Sequence, residues 1–140
     1  MAMIKRSEIR DLVATLFRST VSAEKILDHL DPEVSGNVSV VQITSAGSQR
    51  RSFSRSYADT TVMIGVVVFV LQYSPDDWTL EQGEDLIDLI ESQMAEVLSI
   101  NQNTNLWRSI QWDQPSMVDR VVLSGTPYLM ESMLLNVEVK

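Results

Sequence analysis

The sequence predicts an α+β fold with two layers, in which helices pack on one face of a mostly antiparallel sheet of four to five strands. Two neighbouring segments carry this prediction. Residues 62–71 are apolar on both alternating faces and rich in β-branched side chains, which favours a strand covered on both sides. Residues 80–98 place apolar side chains along one side and acidic ones elsewhere, as in a helix lying on a sheet. We expect Phe69 and Ile90 to face one another between the two layers.

The segment before the central strand predicts two helical pieces and a strand. Apolar residues spaced three and four apart predict a helix over residues 7–19. The same spacing recurs in residues 23–30 and predicts a second, shorter helical piece. Asp31 and Pro32 end it, because the residue before a proline avoids the helical region. Branched apolar residues then predict a strand over residues 38–45.

The segment after the central strand predicts a capped helix followed by three strands. Thr79 and Gln82 have the spacing of a capping box, which marks the start of the acidic helix. Residues 107–113, 117–124 and 128–139 are predicted to form strands, with turn-forming residues between them. Met117, Val121 and Leu123 should share one face of their strand. The predicted inward residues of the last strand are Leu129, Met133, Leu135, Val137 and Val139.

Residues 45–56 differ in kind from the rest of the chain, because they are small, polar and basic and join two predicted strands. We predict that they form a long hairpin arm that is mobile in the isolated subunit. The arm carries the basic cluster of the sequence, Arg50, Arg51 and Arg55. Residues 1–140 are interpreted as a single domain that includes this arm.

Charge is distributed unevenly along the chain. The formal net charge is −8, from 11 basic and 19 acidic residues, and residues 74–99 contain 8 acidic residues and no basic one. A solvated helix face usually mixes signs to gain pairs four residues apart, and this one does not. Sequence-specific nucleic-acid binding is not expected, because it requires clustered basic residues across a surface.

The sequence offers little for catalysis, and we predict no catalytic, cofactor or metal site. Cysteine is absent, and His29 is the only histidine, interpreted as a surface residue. The acidic residues near Asp76 and Asp77 match no calcium-loop spacing and are better explained as charges that complement a helix dipole. The three tryptophans, Trp78, Trp107 and Trp112, are interpreted as packing or strand-edge anchors, with contact to a partner as the alternative.

No membrane association is predicted. The apolar run at 62–71 is shorter than the roughly 20 residues of a spanning helix. Residues 1–6 lead into a charged helix without the apolar core of a signal peptide, so we expect synthesis in a cytoplasm.

The chain resembles the tail terminator, or tail completion, proteins of long-tailed bacteriophages over nearly its whole length. The features that carry the resemblance are a short helix at 8–17, a strand at 38–45, a basic loop with Arg50 and Arg51, the long strand 60–71, a turn rich in tryptophan and acids leading into the helix 80–98, and Gly125-x-Pro127-Tyr128 followed by residues 134–139.

The resemblance implies a structural virion protein without enzymatic activity or cofactor. Such proteins form a six-membered ring at the head-proximal end of the tail, which caps the tail tube, stops its growth and presents a surface to the neck. The implied partners are further copies of the chain, the tail tube protein and a neck or head-completion protein, with DNA passing through the pore without specific binding. Two alternatives stay open: a neck or head-closure connector, and a small α+β ligand-binding protein or enzyme that forms a dimer.

Two charged surfaces are the candidate assembly contacts. The basic arm with Arg50, Arg51 and Arg55 is expected to dock on an acidic surface at assembly, either the helix of a neighbouring subunit or the tail tube below. The candidate acidic residues lie on the predicted helix and are Glu84, Asp85 and Asp88. A pore lining that repels DNA is the alternative role for these acids. The far side of the central strand should also be covered, and a partner subunit is the simplest cover.

Overall fold

The computed structural model of the protein describes residues 4–31, 34, 36–52, 58–113 and 115–140. Two helices and six strands follow one another along the chain. They are α1 (Arg6–Thr20), β1 (Lys25–Leu27), β2 (Ser39–Ser52), β3 (Ala58–Leu71), α2 (Leu80–Ile100), β4 (Trp107–Trp112), β5 (Met117–Leu123) and β6 (Thr126–Val139). The mixture of helices with one predominantly antiparallel sheet confirms the predicted α+β class.

The described strands form a single sheet in the order β1-β2-β3-β6-β4, with β5 also paired to β6. β5 pairs with the first half of β6 and β4 with the second half, so β4 and β5 lie end to end along one edge. Every pairing is antiparallel except that of β1 with β2. The sheet therefore has one strand more than the upper limit of the prediction.

The additional strand is β1, and the predicted helical piece at 23–30 is wrong. Ile26 packs into the main core, Leu27 packs against a second cluster, and Leu30 is 68% exposed. Successive residues thus face opposite sides, as in a strand, although the apolar spacing also fits a helix. The Arg18 guanidinium of α1 donates hydrogen bonds of 3.1 and 2.9 Å to the Ile26 carbonyl oxygen, which fixes β1 beside the helix.

Helix α2 begins where the sequence predicts it. The Gln82 N–H donates to Thr79 Oγ1 at 3.2 Å, and the Thr79 N–H donates to Gln82 Oε1 at 2.8 Å, which confirms the capping box. Trp78 Nε1 donates to the Leu71 carbonyl oxygen at 2.6 Å and closes the turn between β3 and α2. A Cβ atom at Gly83 would lie 2.8 Å from the same carbonyl oxygen, so the first turn of the helix packs directly on the end of β3.

The main core lies between the helices and one face of the sheet, which we call the inner face. The alternate β3 residues from Val62 to Val70 point to it, as do the alternate β6 residues from Leu129 to Val139. The helices contribute side chains such as Phe17 from α1 and Ile90 from α2, both fully buried. Helices packing on one face and the inward set predicted for the last strand are thereby confirmed.

The opposite side of the sheet, the outer face, holds a second and smaller apolar cluster around Val34, Val40 and Tyr128. Phe69 packs against this cluster, so the predicted contact between Phe69 and Ile90 is wrong. Phe69 lies one position out of phase with its buried neighbours on β3, and a shift of one residue in a strand moves a side chain to the other face. The Tyr128 hydroxyl donates to the Asn37 carbonyl oxygen at 2.9 Å and ties the cluster to the turn before β2.

The predicted strand at 38–45 continues well into the proposed arm. β2 and β3 stay paired as far as Ser52 opposite Ala58, with an irregularity between Ser45 and Gly47 that is typical of a β-bulge. Residues 53–57, including Arg55, lie outside the described residues. The arm is therefore a two-stranded extension of the sheet over its described part, and its mobility stays a prediction.

Within the described residues, neither helix combines the length and the apolar composition that a membrane span requires.

Candidate functional site

An acidic stripe runs along one side of α2 and faces the β4–β5 edge of the sheet. Its residues, Glu84, Asp88 and Glu91, follow one another at intervals of four and three, so they share one side of the helix. Glu84 and Asp88 border a cavity of about 290 Å³ that is also lined by Ile87, Val118, Arg120 and Leu129. Glu91 borders a cavity of about 530 Å³ that is also lined by Trp112, Asp113, Pro115, Ser116 and Met133. We call the space between α2 and this edge the edge groove.

The acidic stripe has no ion pair within the described part of the chain. Arg120 is the one basic side chain among the described residues that line the groove. Asp85, the other candidate acid, is exposed on α2 and does not line it. The edge groove therefore combines apolar walls with an excess of negative charge.

Glu131 lies beneath the groove on β6 and is a residue that the sequence interpretation missed. Its side chain is only 5% exposed, and the Ser116 hydroxyl donates a hydrogen bond to Glu131 Oε2. Burial raises the pKa of the Glu131 carboxyl; the Ser116 hydrogen bond acts in the opposite direction, and the charges of Glu91 and Asp88 raise the pKa further. A signal for Glu131 existed, because it occupies the inward position between Leu129 and Met133.

The described part of the basic arm lies towards the opposite edge of the sheet from the acidic stripe. Arg50 is exposed on β2, with its Nη1 atom 3.5 Å from Thr60 Oγ1. Arg51 is described by its backbone, which pairs with Asp59, and Arg55 lies outside the described residues. Because β3 and β6 lie between β2 and β5, the structure does not bring Arg50 and the stripe together in one chain.

The outer face of the sheet presents apolar side chains that no described helix covers. Met63, Val67 and Leu134 are partly exposed there, and Met117 at the edge is 71% exposed. The cluster around Tyr128 covers only the end of the face near Phe69 and Leu71. Met117, Val121 and Leu123 share this face, as predicted. Within the described part of the chain, the central strand is thus covered by helices on one side and partly exposed on the other.

The remaining candidate residues fall into structural roles. His29 is exposed, and its Nδ1 atom lies 3.0 Å from Asp28 Oδ1, which confirms its surface position although it does not lie on a helix. Trp107 is fully buried, with Nε1 donating to the Asn101 carbonyl oxygen at 2.9 Å, whereas Trp112 borders the edge groove. Among the described residues, no group of three or more His, Asp or Glu side chains is placed to hold a metal ion.

Comparison with known proteins finds matches among solved structures. No family model matches the sequence, and no curated protein matches it. Among solved structures, the chain is similar to the sheath/tube terminator in the extended state of an extracellular contractile injection system, PVC, with a TM-score of 0.43 and 13% sequence identity. The match covers 100% of this chain, which spans 58% of the length of that chain.

Proposed function

We propose that the protein is a structural subunit of a phage-type tail, which forms a closed ring on the tail tube, stops tube polymerisation and provides the head-joining surface. Its partners are further copies of itself, the tail tube protein and a neck or head-completion protein. The ring is assembled in the host cytoplasm and ends up at the head-proximal end of the tail. The role requires no catalytic step, no cofactor and no membrane.

The observation that carries this proposal is the partly exposed apolar surface on the outer face of the sheet. Met63, Val67 and Leu134 are partly exposed across its central strands, where no described helix lies. Apolar surface that stays accessible in a folded subunit is typical of a protein that buries it in an assembly. Contacts between two different patches generate a ring when the rotation between subunits closes.

The charge of the surface is compatible with a pore through which DNA passes. The net charge is −8, and the acidic side chains of α2 are mostly exposed. Negative charge repels phosphate groups and gives no counterion release on contact with DNA, so DNA is not retained by the ring. In this role the stripe can line the pore or meet a basic surface of a neighbouring subunit.

The test is the assembly state and the capping activity of the purified full chain. Sedimentation across a concentration series and negative-stain microscopy should show rings with a central hole, alone or on tail tubes. Addition of the chain to polymerising tail tube protein should shorten the tubes. A monomer at every concentration that leaves tube length unchanged would exclude the proposal, and closed dimers that bind a small molecule in the edge groove would favour the ligand-binding alternative.

A further inference from the structure

We propose that subunits join by antiparallel pairing of β5 of one copy with the free edge of β2 of a second copy, so that the sheet continues from subunit to subunit. This inference rests on the proposed ring and assigns the surfaces that build it. Residues Gly47 to Ser52 of β2 then lie along the edge groove of the neighbouring subunit.

Two different edges of the sheet are available for this contact. β1 covers β2 only from Val40 to Gln42, so within the described chain β2 pairs with β3 alone from Ile43 onward. At the opposite edge, β5 pairs with β6 alone among the described strands. Unpaired strand edges present backbone N–H and C=O groups that can hydrogen-bond a further strand. Because the two edges differ, their contact is heterologous and can close into a ring.

The strand directions fit such a continuation. β2, β3, β6 and β5 are antiparallel at each successive pairing, so β5 runs opposite to β2. When neighbouring subunits keep the same orientation around a ring, β5 of one therefore meets β2 of the next in antiparallel sense. The free edge of β2 after the bulge, Gly47 to Ser52, is six residues long and matches the seven residues of β5.

The β5 edge carries apolar side chains that this contact would bury. Val118 is 46% exposed and Val122 is 70% exposed, and both share the inner face with their partners on β6. Natural sheets commonly protect an edge with charged residues, proline or a bulge. β5 has neither proline nor bulge, and its two charged residues, Asp119 and Arg120, point to opposite faces.

Charge complementarity identifies the segment that occupies the edge groove as Gly47 to Ser52 of a second copy. Arg50 pairs in register with Thr60, which is buried at the inner face, so Arg50 belongs to that same face. The acidic stripe of Glu84, Asp88 and Glu91 also lies on the inner face, beside β5. A sheet continued across the subunit boundary therefore places Arg50 of one copy next to the stripe of its neighbour. The stripe has three carboxylates and only one neighbouring guanidinium, that of Arg120, so it can accept the guanidinium of Arg50 as a second partner.

Paired cysteines test the inference directly, because the chain contains no cysteine of its own. Ser48 is exposed on β2 and pairs with Val62, which places it on the inner face. We would combine Ser48→Cys with Val118→Cys, Arg120→Cys or Val122→Cys, which are inner-face positions on β5. Directly opposed residues in an antiparallel pair have Cβ atoms about 4.5–5.5 Å apart, which is close to disulfide geometry. The matched control is Ser48→Cys with Asp119→Cys, which places the second thiol on the outer face.

The expected result is a ladder of covalent oligomers after mild oxidation of at least one inner-face pair. The control pair and the single-cysteine variants should give no ladder. A covalent dimer from one single-cysteine variant would indicate a symmetric contact instead and would overturn the inference. Absence of a ladder in a sample whose mass shows assembled rings would overturn the inference and leave the proposed function standing. A ladder from a protein that does not shorten tail tubes would support the edge pairing and reject the proposed function.

Discussion

Glu131 brings a carboxyl into the inner face of the sheet, where the neighbouring residues of β6 are apolar. Burial raises its pKa, so the folded protein binds the proton up to a higher pH than the unfolded chain does. The resulting stability is fully present below the pKa of the unfolded chain and is lost as the pH rises through the pKa of the folded protein. Glu131→Gln keeps an acceptor for the Ser116 hydroxyl and removes the ionisation. We predict that Glu131→Gln has a higher free energy of unfolding than the wild type at pH 7, and that the difference shrinks towards pH 4.

Glu138→Gln is the matched control for this measurement. Glu138 lies on the same strand, is partly exposed, and accepts a hydrogen bond from the Ser109 hydroxyl at 3.1 Å. Its replacement should give no comparable gain at pH 7 in denaturant titrations. If Glu131→Gln proved less stable than the wild type at pH 7, the charged form of Glu131 would have to be the one that the fold stabilises.

The last strand shows how far the alternation of apolar residues predicts which side chains point inward. The five inward residues from Leu129 to Val139 were predictable because apolar side chains recur at every second position. Glu131 occupies the same series, but its environment depends on Ser116, Asp88 and Glu91, which come from other elements. A carboxyl at an inward position becomes interpretable only when those elements are placed around it.

At the scale of secondary-structure elements, the contact between α2 and β3 depends on Gly83. Helix propensity alone would make Gly83→Ala stabilising by about 1 kcal/mol. The added Cβ would lie 2.8 Å from the Leu71 carbonyl oxygen and 3.0 Å from that of Gln72, and backbone atoms cannot rotate out of the way. We predict instead that Gly83→Ala lowers the free energy of unfolding by about 1–3 kcal/mol, measured by thermal or denaturant unfolding.

Ser92→Ala provides the control for Gly83→Ala, because Ser92 is exposed on the same helix. Its replacement should change stability by no more than about 0.5 kcal/mol. A stabilising Gly83→Ala would show that the start of α2 can move away from β3.

The two layers of the fold should respond differently to truncation of large side chains. Ile90 is fully buried between α2 and the sheet, so Ile90→Ala should cost about 2–5 kcal/mol. Phe69 is partly exposed on the outer face, so Phe69→Ala should cost less in the isolated subunit. A melting temperature of Ile90→Ala within about two degrees of the wild type would contradict the position of α2 on the sheet.

Most elements were predictable because their patterns leave little choice. The capping box of Thr79 and Gln82 and the apolar series of β3 each admit one structure, and both were placed correctly. The pattern of residues 23–30 fits two structures, because its few apolar residues have the spacing of a helix and also suit a short strand. Its pairing with β2 depends on contacts distant in sequence, such as the Glu24 N–H donating to Ser39 Oγ at 2.8 Å. The length of β2 was underestimated because its polar continuation has no apolar alternation to reveal it.

At the scale of the whole molecule, the proposed ring uses three surfaces with different physical properties. The outer face offers apolar area, the edges of β2 and β5 offer backbone hydrogen bonds, and the arm and the acidic stripe offer opposite charges. The first two contribute most of the association energy in such a contact, because exposed ion pairs are worth only about 0–1 kcal/mol each. Charge instead determines which edge of the second subunit is bound and increases the rate at which subunits meet. The sequence pointed to both charged surfaces, whereas their separation by two strands followed only from the sheet order.

The last prediction concerns reversal of the arm. Arg50→Glu combined with Arg51→Glu places like charges on the arm and the stripe, so we expect a folded subunit that no longer assembles or caps tail tubes. Raised salt should weaken wild-type assembly in the same direction, because exposed pairs are screened. Lys5→Glu combined with Arg6→Glu reverses two exposed residues at the start of α1, away from these surfaces, and reaches the same net charge, so this variant should assemble normally. Adding Glu84→Arg and Asp88→Arg to the reversed arm should restore assembly, measured by sedimentation and by tube length. If the reversed arm assembles like the wild type at low and at high salt, the arm does not contribute to the subunit contact.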